Sequence, residues 1–280
     1  MEKKNYTLTD ISTIKKVMGE NGVTFSKGLG QNFLVNPTVC PRMADAVRES
    51  TDGKIGVLEI GAGVGVLTKE LLERCEKVVC VELDTRLFPV LDDTLSGYDN
   101  LTLINADVLK VNLKKVIEEH FDGMEIFVCA NLPYYITTPL IMRFLENAKN
   151  LRAMVIMVQE EVARRVVATE KSSAKQYGLL TILSQFWADC SIIRVVGRRS
   201  FYPAPKVNSA LISLKVRKEP LLKLSDYTFF RRVIKAGFAQ RRKTLKNCLL
   251  GGGFDRDKIA SALQKMGLDE NIRGEKLSIA

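Results

Sequence analysis

The chain has 280 residues, of which 46% are hydrophobic and 26% charged, and its formal net charge is +10 at pH 7. These values are typical of a globular protein with one large domain or a large domain plus a small one. They exclude a membrane-spanning protein, because no uninterrupted apolar run reaches the roughly 20 residues that a span requires. The N-terminus lacks a signal-peptide pattern, so we expect a soluble, cytoplasmic protein.

The cysteine and histidine content argues against a metal site. Six cysteines are scattered along the chain without a Cys-x-x-Cys pair or a Cys/His cluster, which predicts buried free thiols and no metal. His120 is the only histidine and follows two glutamates, so we expect it at a solvated helix end. We therefore do not expect a His-based catalytic triad or a His-based metal site.

Positive charge is concentrated in one part of the chain. Residues 191–250 contain 15 Lys and Arg against only Glu219 and Asp226, a balance of +13, so the other residues sum to −3. Such clustering indicates a polyanion partner, since neutralisation of phosphates drives non-specific binding of nucleic acid. A solubilising surface is the alternative interpretation.

The N-terminal residues 1–26 are predicted to form an extension ahead of the main domain. Apolar residues at helical spacing, including Ile11, Ile14 and Val17, predict a short amphipathic helix within it. The following segment, residues 27–34, contains two glycines and two amides around an aromatic residue. Its composition fits a ligand-binding loop and a plain linker equally well.

From residue 54 onward, short apolar runs alternate with helical patterns. The predicted strands are 55–60, 77–83, 101–105, 126–130, 153–158, 190–196 and 210–216, and the predicted helices are 66–74, 86–95, 113–119, 139–147, 160–168 and 179–186. This alternation predicts an α/β fold with a mainly parallel, doubly wound sheet, closed at its edge by an antiparallel hairpin of the last two strands.

Beyond residue 218 the pattern is entirely helical. Helices are predicted at 227–238, 241–250 and 255–266, with three consecutive glycines as a break between the last two. The sequence therefore predicts a Rossmann-like domain over residues 1–218 and a small all-helical C-terminal domain over residues 219–280.

A glycine-rich loop, Glu59–Gly65, follows the first predicted strand of the sheet. Its G-x-G-x-G spacing permits a tight turn and close approach to a ligand. The loop matches neither the dinucleotide pattern nor the phosphate-binding P-loop. Glu82 at the end of the second strand can accept both ribose hydroxyls, and Asp107 at the end of the third can accept from an adenine amino group. A nucleoside without pyrophosphate, S-adenosylmethionine, fits this set better than NAD.

The stretch from Asn131 to Tyr134 follows the fourth strand. An amide, a rigid proline and an aromatic ring in succession suit the binding of a planar base by its exocyclic amino group, although Asn and Pro are also common in plain turns. The acids and glycines before it favour the functional interpretation. We expect the Asn131 oxygen and the Leu132 or Pro133 carbonyl to accept the two amino hydrogens, with Tyr134 stacked on the ring.

These motifs together resemble the ribosomal RNA adenine N6-dimethyltransferases. The resemblance rests on residues 31–34, 59–65, 81–84, 105–107 and 131–134, which occur in family order, and it continues through 201–207, 240–245 and 273–278. The last three stretches are more similar to the housekeeping small-subunit branch than to the macrolide-resistance branch. In the small-subunit branch, two adjacent adenosines near the 3′ end of 16S rRNA each receive two methyl groups.

The resemblance implies roles for individual residues. The residues matching the cofactor-binding positions are Asn32, Leu34, Gly61, Glu82, Asp107 and Asn131. The residues matching the target-base pocket are Asn131, Leu132, Pro133, Tyr134 and Phe201, and the resemblance implies that Phe201 stacks on the base together with Tyr134. Asn208 stands where the family usually has an acid, which removes a charge at that position.

The basic C-terminal segment is predicted to bind RNA phosphates. The candidate RNA-binding residues are Arg231, Arg232, Lys235, Arg241, Arg242, Lys243 and Lys246. We expect a monomer that acts on the small ribosomal subunit, without a metal or a membrane. The alternatives are a large-subunit methyltransferase of the resistance type and a non-catalytic assembly factor; a DNA adenine methyltransferase is disfavoured because its motif has a second proline.

Overall fold

A computed structural model describes residues 6–26, 30–147 and 150–279. The first three residues of the predicted 27–34 loop and the first five of the N-terminal extension lie outside the described residues. The chain forms two compact units. We call residues 1–163 with 191–216 the sheet unit, and residues 164–190 with 217–280 the helical unit.

A seven-stranded sheet organises the sheet unit. The strands of the chain are β1 (Phe33–Leu34), β2 (Ile55–Ile60), β3 (Lys77–Glu82), β4 (Leu101–Asn105), β5 (Glu125–Asn131), β6 (Leu151–Gln159), β7 (Ala188–Val196), β8 (Phe201–Tyr202) and β9 (Ser209–Val216). The sheet has the order β4-β3-β2-β5-β6-β9-β7, and β1 pairs separately with β8. Strands β2 to β6 pair in parallel, whereas β9 runs antiparallel to β6.

Helices connect the parallel strands, as a doubly wound sheet requires. The helices are α1 (Ile11–Glu20), α2 (Val39–Arg48), α3 (Val66–Leu72), α4 (Phe88–Thr94), α5 (Leu113–His120), α6 (Thr137–Asn147), α7 (Glu160–Val166), α8 (Leu179–Trp187), α9 (Tyr227–Gly237), α10 (Leu245–Gly251) and α11 (Arg256–Lys265). Side-chain caps fix several starts: Asp10 accepts from the Thr13 N–H, and Asn112 from the Lys115 N–H. None of the described helices is long and apolar enough to cross a membrane.

The core of the sheet unit lies around the central strands. All six residues of β2 are buried, as expected of a strand covered on both faces. One apolar cluster joins this strand to the inner faces of α1, α2 and α3, with Met18, Met43 and Leu71 among its fully buried members. The core thus holds the parallel strands in register, so that their carboxyl ends meet at one edge.

The predicted elements agree with the structure in type and approximate position, with three exceptions. Helix α2 and the two-residue strands β1 and β8 were not predicted. The last two strands of the sheet are neighbours at its edge as expected, and β9 is the inner one, paired with β6. Residues 241–244 precede α10, because Thr244 caps the helix by accepting from the Asn247 N–H.

The division into units differs from the predicted linear boundary near residue 218. Residues 164–190 group with the C-terminal residues, because α8 packs against α9 through aromatic contacts. The Phe186 ring lies 5.4 Å from the Tyr227 ring and 5.2 Å from the Phe230 ring. The helical unit therefore draws on a segment that the sequence analysis placed in the first domain.

Candidate functional site

A cavity of about 260 Å³ lies in the sheet unit, at the carboxyl ends of its parallel strands. Its walls come mainly from residues 30–34, 59–63, 81–83, 106–109 and 131–136. Four of these segments follow β2, β3, β4 and β5. The cavity thus occupies the position where open α/β sheets bind their ligands.

The glycine-rich loop forms one wall of this cavity. Gly61 and Gly63 have φ of 74° and 62°, values that other residues adopt only with strain. A Cβ on Gly63 would also lie 2.8 Å from a ring carbon of Phe33, which is too close for a real contact. The loop therefore requires glycine at position 63 for both its backbone angle and its packing.

Glu82 is buried at the end of β3 and held by the backbone. One carboxylate oxygen accepts the Asp84 N–H at 2.9 Å and the other accepts the Gly63 N–H at 3.2 Å. Burial raises the pKa of Glu82, and these two N–H groups oppose the rise by stabilising the carboxylate. The arrangement fixes the carboxylate at the cavity wall.

The loop containing Gln31 is tied to the end of β3. The Gln31 amide donates to Asp84 at 2.9 Å, and its oxygen accepts the Ser26 N–H at 2.8 Å. Arg86 makes two hydrogen bonds to the same carboxyl, at 2.8 and 2.7 Å, and with the Gln31 bond they hold the pKa of Asp84 below its usual value. Gln31 lies in the 31–34 stretch that resembles the family, but it is not among the predicted site residues.

Asp107 lies just beyond β4 and lines the cavity. One carboxylate oxygen accepts the Leu109 N–H at 2.9 Å, and the other lies 3.7 Å from the Lys110 ammonium group. The turn that Asp107 makes with its own backbone fixes the side chain at the cavity wall.

Asn131 ends β5 with its amide oriented by a hydrogen bond. Its Nδ2 donates to the Asn32 carbonyl at 2.9 Å, and the Asn32 side chain donates in turn to the Gly30 carbonyl at 2.9 Å. This bond fixes the orientation of the amide, and its acceptor atom, Oδ1, has no donor among the described residues. The predicted residues Asn32 and Asn131 are thus brought into direct contact.

The two carbonyls after Asn131 differ in availability. The Pro133 carbonyl accepts from the Ile136 N–H at 3.2 Å and from the Thr137 hydroxyl at 3.3 Å. Both of its lone pairs are therefore used. Within the described part of the chain, no backbone N–H donates to the Leu132 carbonyl. Of the two carbonyls predicted as acceptors, the geometry favours Leu132.

Two tyrosines border the cavity. The Tyr134 hydroxyl shares a 2.7 Å hydrogen bond with the Ser209 hydroxyl, and burial raises the pKa of Tyr134. Tyr135 is 60% exposed and also lines the cavity. It was not predicted, although its position beside Tyr134 in the sequence was a signal.

Phe201 was predicted to stack on the target base, and the structure does not place it on the cavity wall. It is 3% exposed and pairs with Leu34 across the two-residue strands β1 and β8. Leu34 itself lines the cavity, so Phe201 adjoins the wall through this strand pair. All the other predicted cofactor and base residues lie on the wall.

Glu59 is a buried acid that the sequence analysis placed only within the glycine-rich loop. It is 1% exposed, and the Cys80 thiol donates to its Oε2 at 2.9 Å. Burial raises the pKa of Glu59 to about 7, and the Cys80 hydrogen bond opposes this rise.

Comparison with known proteins identifies the family. Residues 22–280 match the family described as ribosomal RNA adenine dimethylase. The chain is 46% identical to ribosomal RNA small subunit methyltransferase A of Bacillus licheniformis, covering 96% of this chain and 94% of that protein. It is 45% identical to the protein of the same name from Bacillus pumilus, with the same coverages.

The chain belongs to the ribosomal RNA adenine dimethylases. Two solved structures resemble this dimethylase. A dimethyladenosine transferase from Plasmodium falciparum is 25% identical, with a TM-score of 0.71 over 88% of this chain and 93% of that one. The 23S rRNA methyltransferase ErmE is 27% identical, with a TM-score of 0.65 over 88% and 96%.

The dimethylase is an enzyme that uses S-adenosylmethionine, and the cavity suits such a ligand. The glycine loop and Glu82 both line it, and backbone N–H groups hold the Glu82 carboxylate in place. The family assignment also fixes ribosomal RNA as the substrate class.

The predicted RNA-binding cations of the dimethylase lie in its helical unit. Six of the seven are exposed, on α9 and on the turn before α10. Lys246 differs, because it is partly buried and its ammonium group lies 2.5 Å from the Glu270 carboxylate. No group of three or more metal-binding side chains occurs in the described ranges.

Proposed function

We propose that this dimethylase transfers methyl groups from S-adenosylmethionine to N6 of two adjacent adenosines near the 3′ end of 16S rRNA, two to each. The observation that carries the choice of small subunit is the 46% identity over nearly the whole chain to a small-subunit enzyme. The large-subunit enzyme ErmE shares only 27% identity. On this proposal the enzyme acts as a monomer in the cytoplasm and contributes to ribosome biogenesis.

The cofactor would be held by the first three wall segments. S-adenosylmethionine supplies an electrophilic methyl group on a sulfonium centre. Glu82 would accept the ribose hydroxyls, and Asp107 would accept the adenine amino group of the cofactor. Gly61 would allow close backbone approach, and Asn32 and Leu34 would contact the ligand from the β1 side.

The target adenine would be held by the segment after β5. Its amino nitrogen is a poor nucleophile because the lone pair is delocalised into the ring. The Asn131 Oδ1 and the Leu132 carbonyl would accept the two amino hydrogens and draw the nitrogen toward a tetrahedral geometry. Tyr134 would contact the ring, and stacking of this kind contributes roughly 1–3 kcal/mol per base. Positioning then accounts for much of the catalysis.

Phe201 keeps a proposed part in the base pocket through Leu34, with which it pairs. Pro133 would act by fixing the turn, since its carbonyl is engaged by Ile136 and Thr137. The adenosine must be unstacked to enter, which costs least in an RNA loop.

The deciding experiment offers a radiolabelled methyl donor to purified small subunits that lack the modification, to large subunits and to naked rRNA. We expect label in the small subunit, on adjacent adenosines of 16S rRNA that primer extension maps. Label in large-subunit RNA alone would overturn the proposal in favour of a resistance-type enzyme. Binding to small subunits without transfer would support a non-catalytic assembly factor instead.

A further inference from the structure

A basic segment of the sheet unit is not explained by the proposed cofactor and base sites. The sequence has no Asp or Glu between Asp189 and Glu219. Within this interval, Arg198, Arg199 and Lys206 are exposed and belong to the sheet unit. We call these three residues the basic rim.

The segment that carries the basic rim is attached to the cavity at both ends. At one end, Phe201 pairs with Leu34 of the cavity wall, and the Ser200 carbonyl accepts the Val35 N–H at 2.9 Å. At the other end, Ser209 shares its 2.7 Å hydrogen bond with Tyr134, also of the wall. The basic rim lies between these attachments or within three residues of them.

The arginines precede Phe201 by two and three residues. Extended chain spans at most about 3.3–3.6 Å per residue, so their Cα atoms lie within roughly 7–11 Å of that of Phe201. The backbone there is also fixed, because the Arg198 N–H donates to Asn208 Oδ1 at 3.3 Å. Asn208 Nδ2 in turn lies 3.4 Å from the Glu160 carboxylate, to which it can donate. An aspartate at 208 could not donate to Glu160.

The charged groups of the basic rim have no partner among the described residues. No ion pair or side-chain hydrogen bond of Arg198, Arg199 or Lys206 occurs among the residues that the structure describes. Unpaired cations next to the site that would receive an adenosine are positioned for phosphate groups.

We propose that the basic rim binds the phosphates of the RNA nucleotides that flank the target adenosine, as a second RNA-binding surface on the sheet unit. This inference rests on the proposed function, since it takes the substrate base to enter the cavity beside Tyr134. The cations of the helical unit would bind other phosphates. RNA is favoured over an acidic protein because the cavity adjoining the basic rim belongs to an rRNA methyltransferase family.

The test compares Arg198→Ala/Arg199→Ala with the wild-type enzyme in binding fluorescein-labelled 16S rRNA fragments across a KCl series. The slope of log K against log salt is negative, and loss of two phosphate contacts to single-stranded RNA reduces its magnitude by about 1.4. We expect this change together with about tenfold weaker binding at low salt. The affinity for S-adenosylhomocysteine, measured by calorimetry, is expected to stay within twofold.

Two further variants separate charge from structure. Lys114→Ala/Lys115→Ala removes two exposed cations from α5 in the same unit, which lie 3.7 and 3.6 Å from glutamate carboxylates, and is the control for net charge, expected to leave the slope unchanged. Arg198→Lys/Arg199→Lys keeps both charges and is expected to restore most of the slope. A lysine pair that binds as weakly as the alanine pair would indicate a structural role and overturn the proposal.

The outcomes also distinguish this inference from the proposed function. If the wild type methylates 16S rRNA and the alanine pair shows an unchanged slope, phosphate binding by the basic rim is refuted and the proposed function stands. A slope of reduced magnitude without methyl transfer by the wild type would support the basic rim and refute the function. Absence of RNA binding by the wild type would refute both.

Discussion

The orientation of one amide decides how Asn131 can act. Its Nδ2 donates to the Asn32 carbonyl at 2.9 Å, and this bond fixes the position of Oδ1, the atom that would accept from the substrate. We expect Asn131→Ala to lower kcat for methyl transfer by roughly 10²–10³, the usual effect of removing one positioned polar group at a reacting centre. Single-turnover kinetics with small subunits measures this change.

Cofactor affinity provides the control for Asn131. The Kd for S-adenosylhomocysteine in Asn131→Ala is expected to change by less than about threefold, since a single neutral hydrogen bond contributes about 1 kcal/mol or less. An equal loss of transfer and of cofactor binding would assign Asn131 to the cofactor instead. Asn131→Asp keeps an acceptor oxygen but loses the donor to Asn32, so it reports on orientation.

The buried carboxyl of Glu59 makes stability depend on pH. Its folded-state pKa is about 7 against an ordinary 4.5, so the folded state binds a proton that the unfolded state has already lost between these pH values. The contribution of Glu59 to the free energy of unfolding is therefore fully present below pH 4.5 and is lost as the pH rises through about 7. At about 1.4 kcal/mol per pH unit, the loss is about 3 kcal/mol.

Glu59→Gln removes this dependence, because an amide of the same shape does not titrate. In urea unfolding of the ligand-free protein, the free energy of unfolding of the variant minus that of the wild type is expected to increase from pH 5 to pH 8. Above pH 8 this difference is expected to stay constant. Glu118→Gln, which changes an exposed carboxyl on α5, is the control for net charge. A constant difference between Glu59→Gln and the wild type over that range contradicts the assignment.

At this scale the sequence predicted the residues whose position follows from the chain alone. Glu82, Asp107 and Asn131 each stand at the end of a strand, and parallel strands bring such ends together. The surroundings of Phe201 and Lys246 were harder to predict, because they depend on Leu34 and Glu270, which are distant in the sequence. The engagement of the Pro133 carbonyl also could not be read from composition.

Single helices depend on caps that the sequence does show. Asp226 precedes α9 and accepts the Phe229 N–H at 2.9 Å. We expect Asp226→Ala to destabilise the helical unit by about 1 kcal/mol, because one N–H of the first turn loses its partner. Asp226→Asn keeps an acceptor and is expected to lose only a fraction of this. Urea unfolding followed by Trp187 fluorescence measures both, and equal losses would show that charge, not capping, is responsible.

At the level of elements, the apolar periods predicted most strands and helices, because burial of one face imposes the period. Helix α2 was missed although its buried positions Val39, Cys40, Met43, Ala44 and Val47 follow a helical period. The membership of residues 164–190 could not have been predicted, since it depends on Phe186 meeting Tyr227 and Phe230 in space.

For the whole molecule, the salt dependence of RNA binding reports the cations that contact phosphate. Arg241 and Arg242 are exposed on the turn before α10, whereas Lys246 is paired with Glu270. We expect Arg241→Ala/Arg242→Ala to reduce the magnitude of the negative slope of log K against log salt by about 1.4, for contacts to single-stranded RNA. Lys246→Ala is expected to leave the slope unchanged, because that ammonium group is already neutralised within the protein.

Filter binding to 16S rRNA at several KCl concentrations gives both slopes, and thermal melting checks that the variants are folded. If Lys246→Ala reduced the magnitude of the slope as much as one exposed arginine does, the ion pair with Glu270 would have to open on binding. The cluster of charge was visible in the sequence, but which cations are free is a property of the folded chain.

The engaged carbonyl of Pro133 has a consequence for how the enzyme handles its successive products. On the proposed function, two acceptors would face the adenine, the Asn131 Oδ1 and the Leu132 carbonyl, against two amino hydrogens. The first methyl transfer leaves one hydrogen for two acceptors, and the second leaves none. Each methyl transfer would therefore weaken the binding of the base. The unmodified adenine would be bound most tightly, and dimethyladenine would be bound most weakly and released.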